Sequence, residues 1–336
     1  MRSWFDVLSD EERDQIEEGE PPQSPRPMLA VLTDDRFSDP GWIFERKLDG
    51  ERALGRRQGR STRLVSRNDN DLGNSYPELV DALAGQDCSD FLIDGEIVAF
   101  EGSVSSFSRL QQRMKITDPG EARASPVAVY YYVFDLLYLD GRRLERVPLR
   151  ARKKLLKRAI AFDGRLRYTQ HRNGEGEAYF EQACNKGWEG VIAKRADAPY
   201  RHTRSRDWLK FKCAHGQELV IGGFTEPRGS RVGFGALLVG YFEDGDLRYA
   251  GKVGTGYDDE FLAGFRDRLD RLERKTSPFA GDVHERGVHW VRPEIVGEFG
   301  FTEWTRDGKL RHPRFLGLRR DKDARDVVRE RPGNSS

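Results

Sequence analysis

Three cysteines in 336 residues, Cys88, Cys184 and Cys213, stand far apart and form no C-x-x-C pair, so neither a disulfide framework nor a zinc knuckle is expected. A reducing cytoplasm fits that usage. No apolar run is long enough to cross a bilayer, and the opening MRSWFDVLSDEERDQIEEGE is acidic where a signal peptide would be basic and then apolar. The expectation is a soluble, unexported chain with no membrane partner. An excess of one charge is missing too, because 57 Lys and Arg face 56 Asp and Glu for a net +1. That excludes a generally basic nucleic-acid coat, while a charged content of 34% leaves room for opposed local patches. Finally, no G-x-G-x-x-G follows a first strand, which removes the doubly wound dinucleotide fold, and no internal repeat is present.

What is there suits two cored domains rather than one. Residues 1–26 read as an N-terminal helical extension with a Pro-rich linker. Trp4, Phe5, Val7 and Leu8 precede a capping box from Ser9 to Glu12, a helix is expected over 1–19, and Pro21, Pro22, Pro25 and Pro27 break it. No chemistry attaches to this segment. Over 27–213, short apolar runs (WIF, FLIDGEIVAF, VAVYYYVFDLLYL, GVIAKR, WLKFK) alternate with helical patterns such as LRARKKLLKRAI. Turn signals at Asp94-Gly95 and Asp140-Gly141 favour antiparallel sheets, hence an α+β domain. Over 214–328 the runs ELVIGGFTE, GALLVGYFE, LRYAGKVGTG and EIVGEFGFTEWT are separated by glycine turns, with one helical pattern at 258–274, as in an OB-type β-barrel. Ala214, His215 and Gly216 are the expected hinge, and 329–336 a tail.

The segment Glu45-Arg46-Lys47-Leu48-Asp49-Gly50-Glu51-Arg52 follows the apolar run Trp42-Ile43-Phe44. A strand over 42–47 sets Ile43, Glu45 and Lys47 on one face by its period of two. A lysine amine attacks an α-phosphorus only when neutral, and nearby cations or desolvation would lower the Lys47 pKa to supply that form. Asp49-Gly50 supplies a turn, and Arg52 a donor for phosphate or ribose. Alone, K-x-D-G equally fits a solvated lysine at a turn. Further segments then follow in order. Ser66-Arg67-Asn68 precedes Asp94-Gly95-Glu96, where Glu96 is either a hairpin-turn carboxylate or a ligand for a ribose hydroxyl or metal. Tyr130, Tyr132 and Phe134 share one strand face, and Phe134 is either core or a platform for a base. Glu189-Gly190-Val191-Ile192-Ala193-Lys194 sets a carboxylate before a glycine bend and a lysine-bearing strand, suited to one metal contact and one phosphate contact. In Trp208–Lys212, Leu209 and Phe211 face one way while Lys210 and Lys212 face the other. Lys47, Arg52, Lys194, Lys210 and Lys212 together would make the positive cleft that a triphosphate requires.

In order and spacing these segments resemble motifs I, III, IIIa, IV, V and VI of the covalent nucleotidyltransferases, which comprise ATP-dependent DNA ligases, RNA ligases and mRNA-capping enzymes. More narrowly, residues 27 to about 328 resemble the ligase domain of bacterial end-joining DNA ligases and their stand-alone relatives. The resemblance is carried by PMLA at 27–30, ERKLDGERAL, the DGE and EGVIAKR segments, WLKFK, YAGKVGTGY and WTRDGKLRHPRFLGLRRDK. It implies a nucleotidyltransferase (adenylation) domain followed by an OB-fold domain. Lys47 would be the adenylated nucleophile, Glu45 would read the adenine amino group, and Arg46 would belong to the ATP-binding set. Arg52 and Arg67 would face ribose or nick phosphates, Phe134 would stack on adenine, and Glu96 and Glu189 would serve ribose and metal. Lys194, Lys210 and Lys212 would contact the phosphates, and Arg319, Asp321 and Lys322 would orient the leaving pyrophosphate.

The same resemblance implies ATP as adenylate donor, Mg2+ or Mn2+, nicked double-stranded DNA as substrate, and a monomer whose OB domain rotates about the hinge. No pattern here matches the helical DNA-binding domain of larger ligases, so modest DNA affinity is expected. Bacterial Ku or a repair polymerase would then supply localisation in end joining. Two alternatives stay open at this level. An RNA ligase or a capping-type guanylyltransferase would use the same lysine with another acceptor or nucleotide, which labelled ATP and GTP would separate. An inactive OB-containing nucleic-acid binding module would leave strand sealing unchanged after Lys47→Ala.

Overall fold

The structure is a computed structural model that describes residues 4–23, 25–213, 216–227, 229, 231–305 and 307–330. It has two compact units, one ending at Cys213 and the other running from Ala214 to Arg331. Of the expected hinge, Ala214 and His215 lie outside the described residues, as does the tail from Arg331 onward. Among the described residues no helix is long and apolar enough to cross a membrane.

The first unit is built on two sheets. One has the order β1 (Glu17–Glu18), β9 (Arg142–Arg143), β8 (Val129–Leu139), β6 (Asp90–Glu101), β4 (Glu51–Gln58), β5 (Ser61–Ser66). The short β7 (Val104–Ser105) pairs with β6, and β10 (Leu166–Tyr168) runs parallel to β8. Its apolar face, including Ala53, Phe91, Ile93, Tyr131 and Val133, forms one core with Leu79 and Leu83 of α2 (Pro77–Ala84) and Phe107 and Leu110 of α3 (Phe107–Met114). The short α4 (Pro119–Ala124) adds Ala122, and α5 (Leu149–Ala159) adds Leu155 and Leu156. The second sheet has the order β11 (His171–Asn173), β3 (Trp42–Lys47), β12 (Gly190–Arg195), β13 (Arg204–Lys212), β2 (Leu29–Leu32). Its neighbours are antiparallel except β13 and β2. Phe44, Val191, Ala193, Leu209 and Phe211 bury one face of it with Tyr179 and Ala183 of α6 (Gly176–Asn185).

Three expectations change here. The Asp94-Gly95 pair is not a turn. It lies inside β6, where the register against β8 slips between these two residues, and a Cβ on Gly95 would come within 2.6 Å of the Tyr132 carbonyl oxygen. Glycine marks a close backbone approach there, not a change of direction. Asp140-Gly141 is a turn, with φ of 42° and 85°, and it joins β8 to β9. The helix expected over 1–19 is a 3-10 turn at Trp4–Val7 followed by α1 (Asp10–Arg13). Both capping-box bonds between Ser9 and Glu12 are made, but Glu17 and Glu18 leave the helix to pair in β1 with Arg143 and Arg142. The third change is that Cys184 and Cys213 form a disulfide, with Cα atoms 5.2 Å apart, between α6 and the residue after β13. The fold brings together cysteines 29 residues apart, which spacing alone could not reveal.

The second unit is an antiparallel sheet of β16 (Asp246–Val253), β15 (Leu237–Glu243), β14 (Gly216–Thr225), β18 (Val288–Gly300) and β17 (Glu273–Arg274), with β21 (Arg314–Arg319) paired to β18. A separate hairpin joins β19 (Glu303–Trp304) and β20 (Leu310–Arg311). Gly216, expected in the hinge, is the first residue of β14. The helix α7 (Asp259–Asp270) is capped by Asp258, and its Leu262, Phe265 and Leu269 enter a core with Phe224, Phe234, Val239 and Phe299.

Candidate active site

Strand pairing across β3, β12 and β13 creates three rungs: Ile43, Lys194 and Trp208; Glu45, Ile192 and Lys210; Lys47, Gly190 and Lys212. Directly paired residues project to the same side, so Glu45, Lys47, Lys194, Lys210 and Lys212 share one face, opposite the apolar face on α6. His171 extends the middle rung, since it pairs with Glu45. Gly190 separates the two lysines of its rung, with φ of 152° and no room for a Cβ against the Phe211 carbonyl. Arg46 lies on the opposite face. It donates to the Ser103 carbonyl at 3.1 Å and stacks 4.3 Å from the Trp188 ring, so the structure does not place its side chain with the other expected nucleotide-binding residues.

Lys47 Nζ is ion-paired with Glu189 Oε1. Burial alone would push the Lys47 pKa down, as would Lys212, but the Glu189 carboxylate together with Asp49 outweighs them and holds it above the ordinary lysine value. The lowered pKa expected from the sequence is therefore reversed in the ligand-free protein. The strand partner that matters is a carboxylate 142 residues away in the chain, and its contact could not be seen in the local motif.

Deeper on the same face, Glu45 is buried between two lysines. Lys153 Nζ from α5 pairs with Oε1, and Lys194 Nζ lies 2.6 Å from Oε2. Burial would raise the Glu45 pKa, and the two ammonium groups bring it below the usual carboxylate range. Burial brings the Lys194 pKa down to about 8 despite Glu45. His171 is held neutral to about pH 4, by burial first and then by Lys153.

The other sheet supplies the facing wall. Arg52 donates twice to Asp94, 2.6 Å each, and Asp94 also accepts from the Tyr200 hydroxyl at 2.6 Å. Two of the Arg52 guanidinium nitrogens, Nε and Nη2, are thus taken up by Asp94 and the Met28 carbonyl. Glu96 pairs across the sheet with Arg52 and Tyr132, so it sits mid-strand and not at a hairpin tip. Arg67 is in the turn after β5. Phe134 packs edge-on to Trp208 at 5.9 Å, with Lys194 Nζ 4.0 Å from both ring centroids.

Buried polar groups normally find partners. Lys194 Nζ and Glu189 Oε2 make no aligned hydrogen bond, and neither do Trp208 Nε1, Thr169 Oγ1 and His171 Nδ1. Trp208, Lys194, His171 and Glu189 stand on, or at the end of, other strands of the sheet whose β3 carries Glu45 and Lys47. That set offers donors and acceptors for a base and oxygen for a hard cation, which suits a metal-bound nucleotide.

Arg319, Asp321 and Lys322 are in the second unit. Arg319 binds Asp321 at 3.0 and 2.9 Å, and Lys322 binds Glu218 at 2.7 Å. Burial pushes the Asp321 pKa up, but Arg319 and Lys322 together bring it below the carboxylate range.

Sequence reasoning missed Lys153, Thr169, His171, Asp94 and Trp208. For Lys153 a signal existed, because Leu149, Arg152, Lys153 and Leu156 fall on one helical stripe, and two charges on an otherwise apolar stripe call for buried partners. Arg152 has its partner in Asp135, at 2.7 and 2.9 Å.

The sequence family described as ATP dependent DNA ligase domain matches residues 27–212, and the ATP dependent DNA ligase C terminal region matches residues 230–322. The chain is 40% identical over 302 residues to the multifunctional non-homologous end joining protein LigD of Pseudomonas aeruginosa, covering 87% of this chain and 35% of that protein. It is 31% identical over 319 residues to a probable DNA ligase of Dictyoglomus turgidum, covering 85% and 54%. A solved mycobacterial DNA ligase D complexed with ATP and MES has a TM-score of 0.64 at 36% identity, covering 91% of this chain and 98% of that one. The chain spans less than two thirds of the length of the two full-length relatives.

Proposed function

From membership of the ATP-dependent DNA ligase family, to which this chain belongs, we propose that it seals nicks in double-stranded DNA through a lysyl-AMP intermediate on Lys47. The observation that carries this reading is the single sheet face on which Lys47, bound to Glu189, stands beside Lys210 and Lys212. The family fold accounts for both units, an adenylation domain followed by an OB-fold domain.

In the first step Lys47 Nζ bonds to the α-phosphorus of ATP, the bond from that phosphorus to the β-phosphate oxygen breaks, and pyrophosphate leaves. The ammonium sheds two protons to solvent, and Glu189 is the nearest base on the way. Lys210 and Lys212 offset the phosphate charge, while Lys194, expected from the sequence on the phosphates, pairs with Glu45 between the Phe134 and Trp208 rings and is assigned with Glu45 to the base edge. A divalent cation, Mg2+ or Mn2+, held by Glu189 and Glu96 would neutralise the phosphate chain. The AMP then passes to the 5′-phosphate of the nick as the phosphorus–nitrogen bond breaks. Attack of the 3′-hydroxyl on the 5′-phosphorus releases AMP, and its proton goes to solvent. Arg319, Asp321 and Lys322 act on the pyrophosphate in the first step.

The end-joining relatives support a role for this chain, as a cytoplasmic monomer, in repair of double-strand breaks beside bacterial Ku or a repair polymerase. The test is intact mass after mixing with ATP and magnesium, then nick sealing on the same sample. Gain of one adenylyl group at Lys47 followed by sealed DNA is the expected result, and no gain at that residue removes the proposal.

A further inference from the structure

We propose that Lys153 is a specificity-determining positioning residue: by fixing Glu45 as a carboxylate, it makes the site take a purine with a 6-amino group and refuse one with a 6-oxo group. The inference rests on the reading above, in which Glu45 faces the base of the nucleotide.

Lys153 comes from the buried face of α5, in a layer separate from the strands that carry Glu45 and Lys194. Its ammonium reaches Glu45 Oε1, the Phe134 carbonyl at 3.4 Å and the Thr169 carbonyl at 3.2 Å. Three protons meet three acceptors, so this cation is fully used by the protein and cannot turn toward a ligand. Lys194 differs. It is paired with Glu45 by charge but makes no aligned hydrogen bond, and it lies between the Phe134 and Trp208 rings. One lysine is therefore a fixed counter-charge and the other an available donor.

The two edges of a 6-substituted purine differ in sign. Adenine offers an amino donor at position 6 and an acceptor at N1, whereas hypoxanthine offers an oxo acceptor at position 6 and a donor at N1. With position 6 facing Glu45 and N1 facing Lys194, a carboxylate beside an ammonium with donors to spare complements the first and opposes both atoms of the second. Glu45 could accommodate the oxo group only by taking a proton and becoming a donor. Two cations, one on each carboxylate oxygen, oppose that protonation, and Lys153 is the one no ligand can recruit away. His171, neutral on the same rung, adds no competing charge.

The experiment uses the full chain and follows single-turnover nucleotidyl-lysine formation with ATP and with inosine triphosphate. Wild type should prefer ATP by a large factor, as polar-edge readers do. In Lys153→Met, KM for ATP should rise and the ATP-to-ITP ratio of kcat/KM should fall about tenfold or more. Lys153→Arg, which keeps the charge, should retain the ratio within about threefold. A merely structural lysine would lower both nucleotides by the same factor, and that result overturns the proposal. Loss of discrimination in Lys153→Arg overturns it as well, even if Lys153→Met fails to fold. A wild-type protein that takes up no AMP would instead sink the nick-sealing reading, so the two failures are distinguishable.

Discussion

At the scale of single residues, Lys47, the proposed nucleophile, is held in its protonated form. Glu189 keeps Lys47 protonated beyond the ordinary lysine range, so in the ligand-free protein the neutral fraction grows with pH up to a raised pKa. Lys47→Ala should abolish AMP uptake measured by intact mass while circular dichroism stays native, because Lys47 is only half-buried. Glu189→Gln removes the carboxylate that raises the pKa. The alkaline rise in single-turnover adenylation should then occur at lower pH than in wild type, with a lower plateau where Glu189 also serves as the proposed metal ligand. An unshifted rise would mean that Glu189 does not set the protonation of Lys47. Stability has its own titration. His171 takes its proton near pH 6.5 when unfolded and near 4 when folded, so its contribution is complete above 6.5 and is lost as pH falls toward 4. The unfolding free energy of wild type should drop more steeply across that window than that of His171→Asn, by less than about 1.4 kcal/mol per pH unit given its partial exposure. Equal slopes would rule out this assignment. Glu45 and Lys47 were legible on one face from strand period alone. Their partners were not, because Glu189, Lys153 and His171 join them only through sheet pairing and helix docking.

Elements were easier to read than contacts. β3, α5 and α7 follow directly from apolar periodicity and capping residues, and α7 begins at its Asp258 cap as the pattern implies. Asp94-Gly95 was misread because a glycine needed for the close approach of Tyr131 and Tyr132 carries the same sequence signal as one needed for a turn. The N-terminal extension is an element held by packing. Leu8 is 3% exposed in the core of the first unit, Trp4 Nε1 donates to Asp140 at 2.8 Å, and Lys154 of α5 pairs with Glu12 at 3.2 Å. Leu8→Ala should cost about 2–5 kcal/mol in chemical denaturation, the range for a buried leucine, without removing AMP uptake. A cost below about 0.5 kcal/mol would show the extension to be loosely attached. The Cys184–Cys213 disulfide closes a 29-residue separation across α6 and β12 and ends one residue beyond Lys212.

The whole molecule is two folding units with separate cores, since no residue of the core built on Phe91, Ile93 and Tyr131 belongs to the one built on Phe224, Val239 and Phe299. Separate cores imply separate cooperative transitions. The disulfide and the residues proposed to hold the base and the α-phosphate lie in the first unit, so both agents that act on them should move chiefly its transition. For loops of this size, removing a cross-link costs on the order of 3 kcal/mol. Dithiothreitol, or Cys184→Ser with Cys213→Ser, should therefore lower one calorimetric peak and leave the other in place. ATP without divalent cation, at about a hundred times its dissociation constant, should raise that same peak by the equivalent of about 2.7 kcal/mol. For a unit of this size that is on the order of 5–10 °C. A fragment of residues 216–330 should reproduce the unmoved peak by itself, because its core, its sheet and its Arg319–Asp321 pair are all internal. A single peak that shifts as a whole with reduction and with ATP would mean that the two cores unfold as one, and the division at Cys213 would then describe chain geometry but not stability.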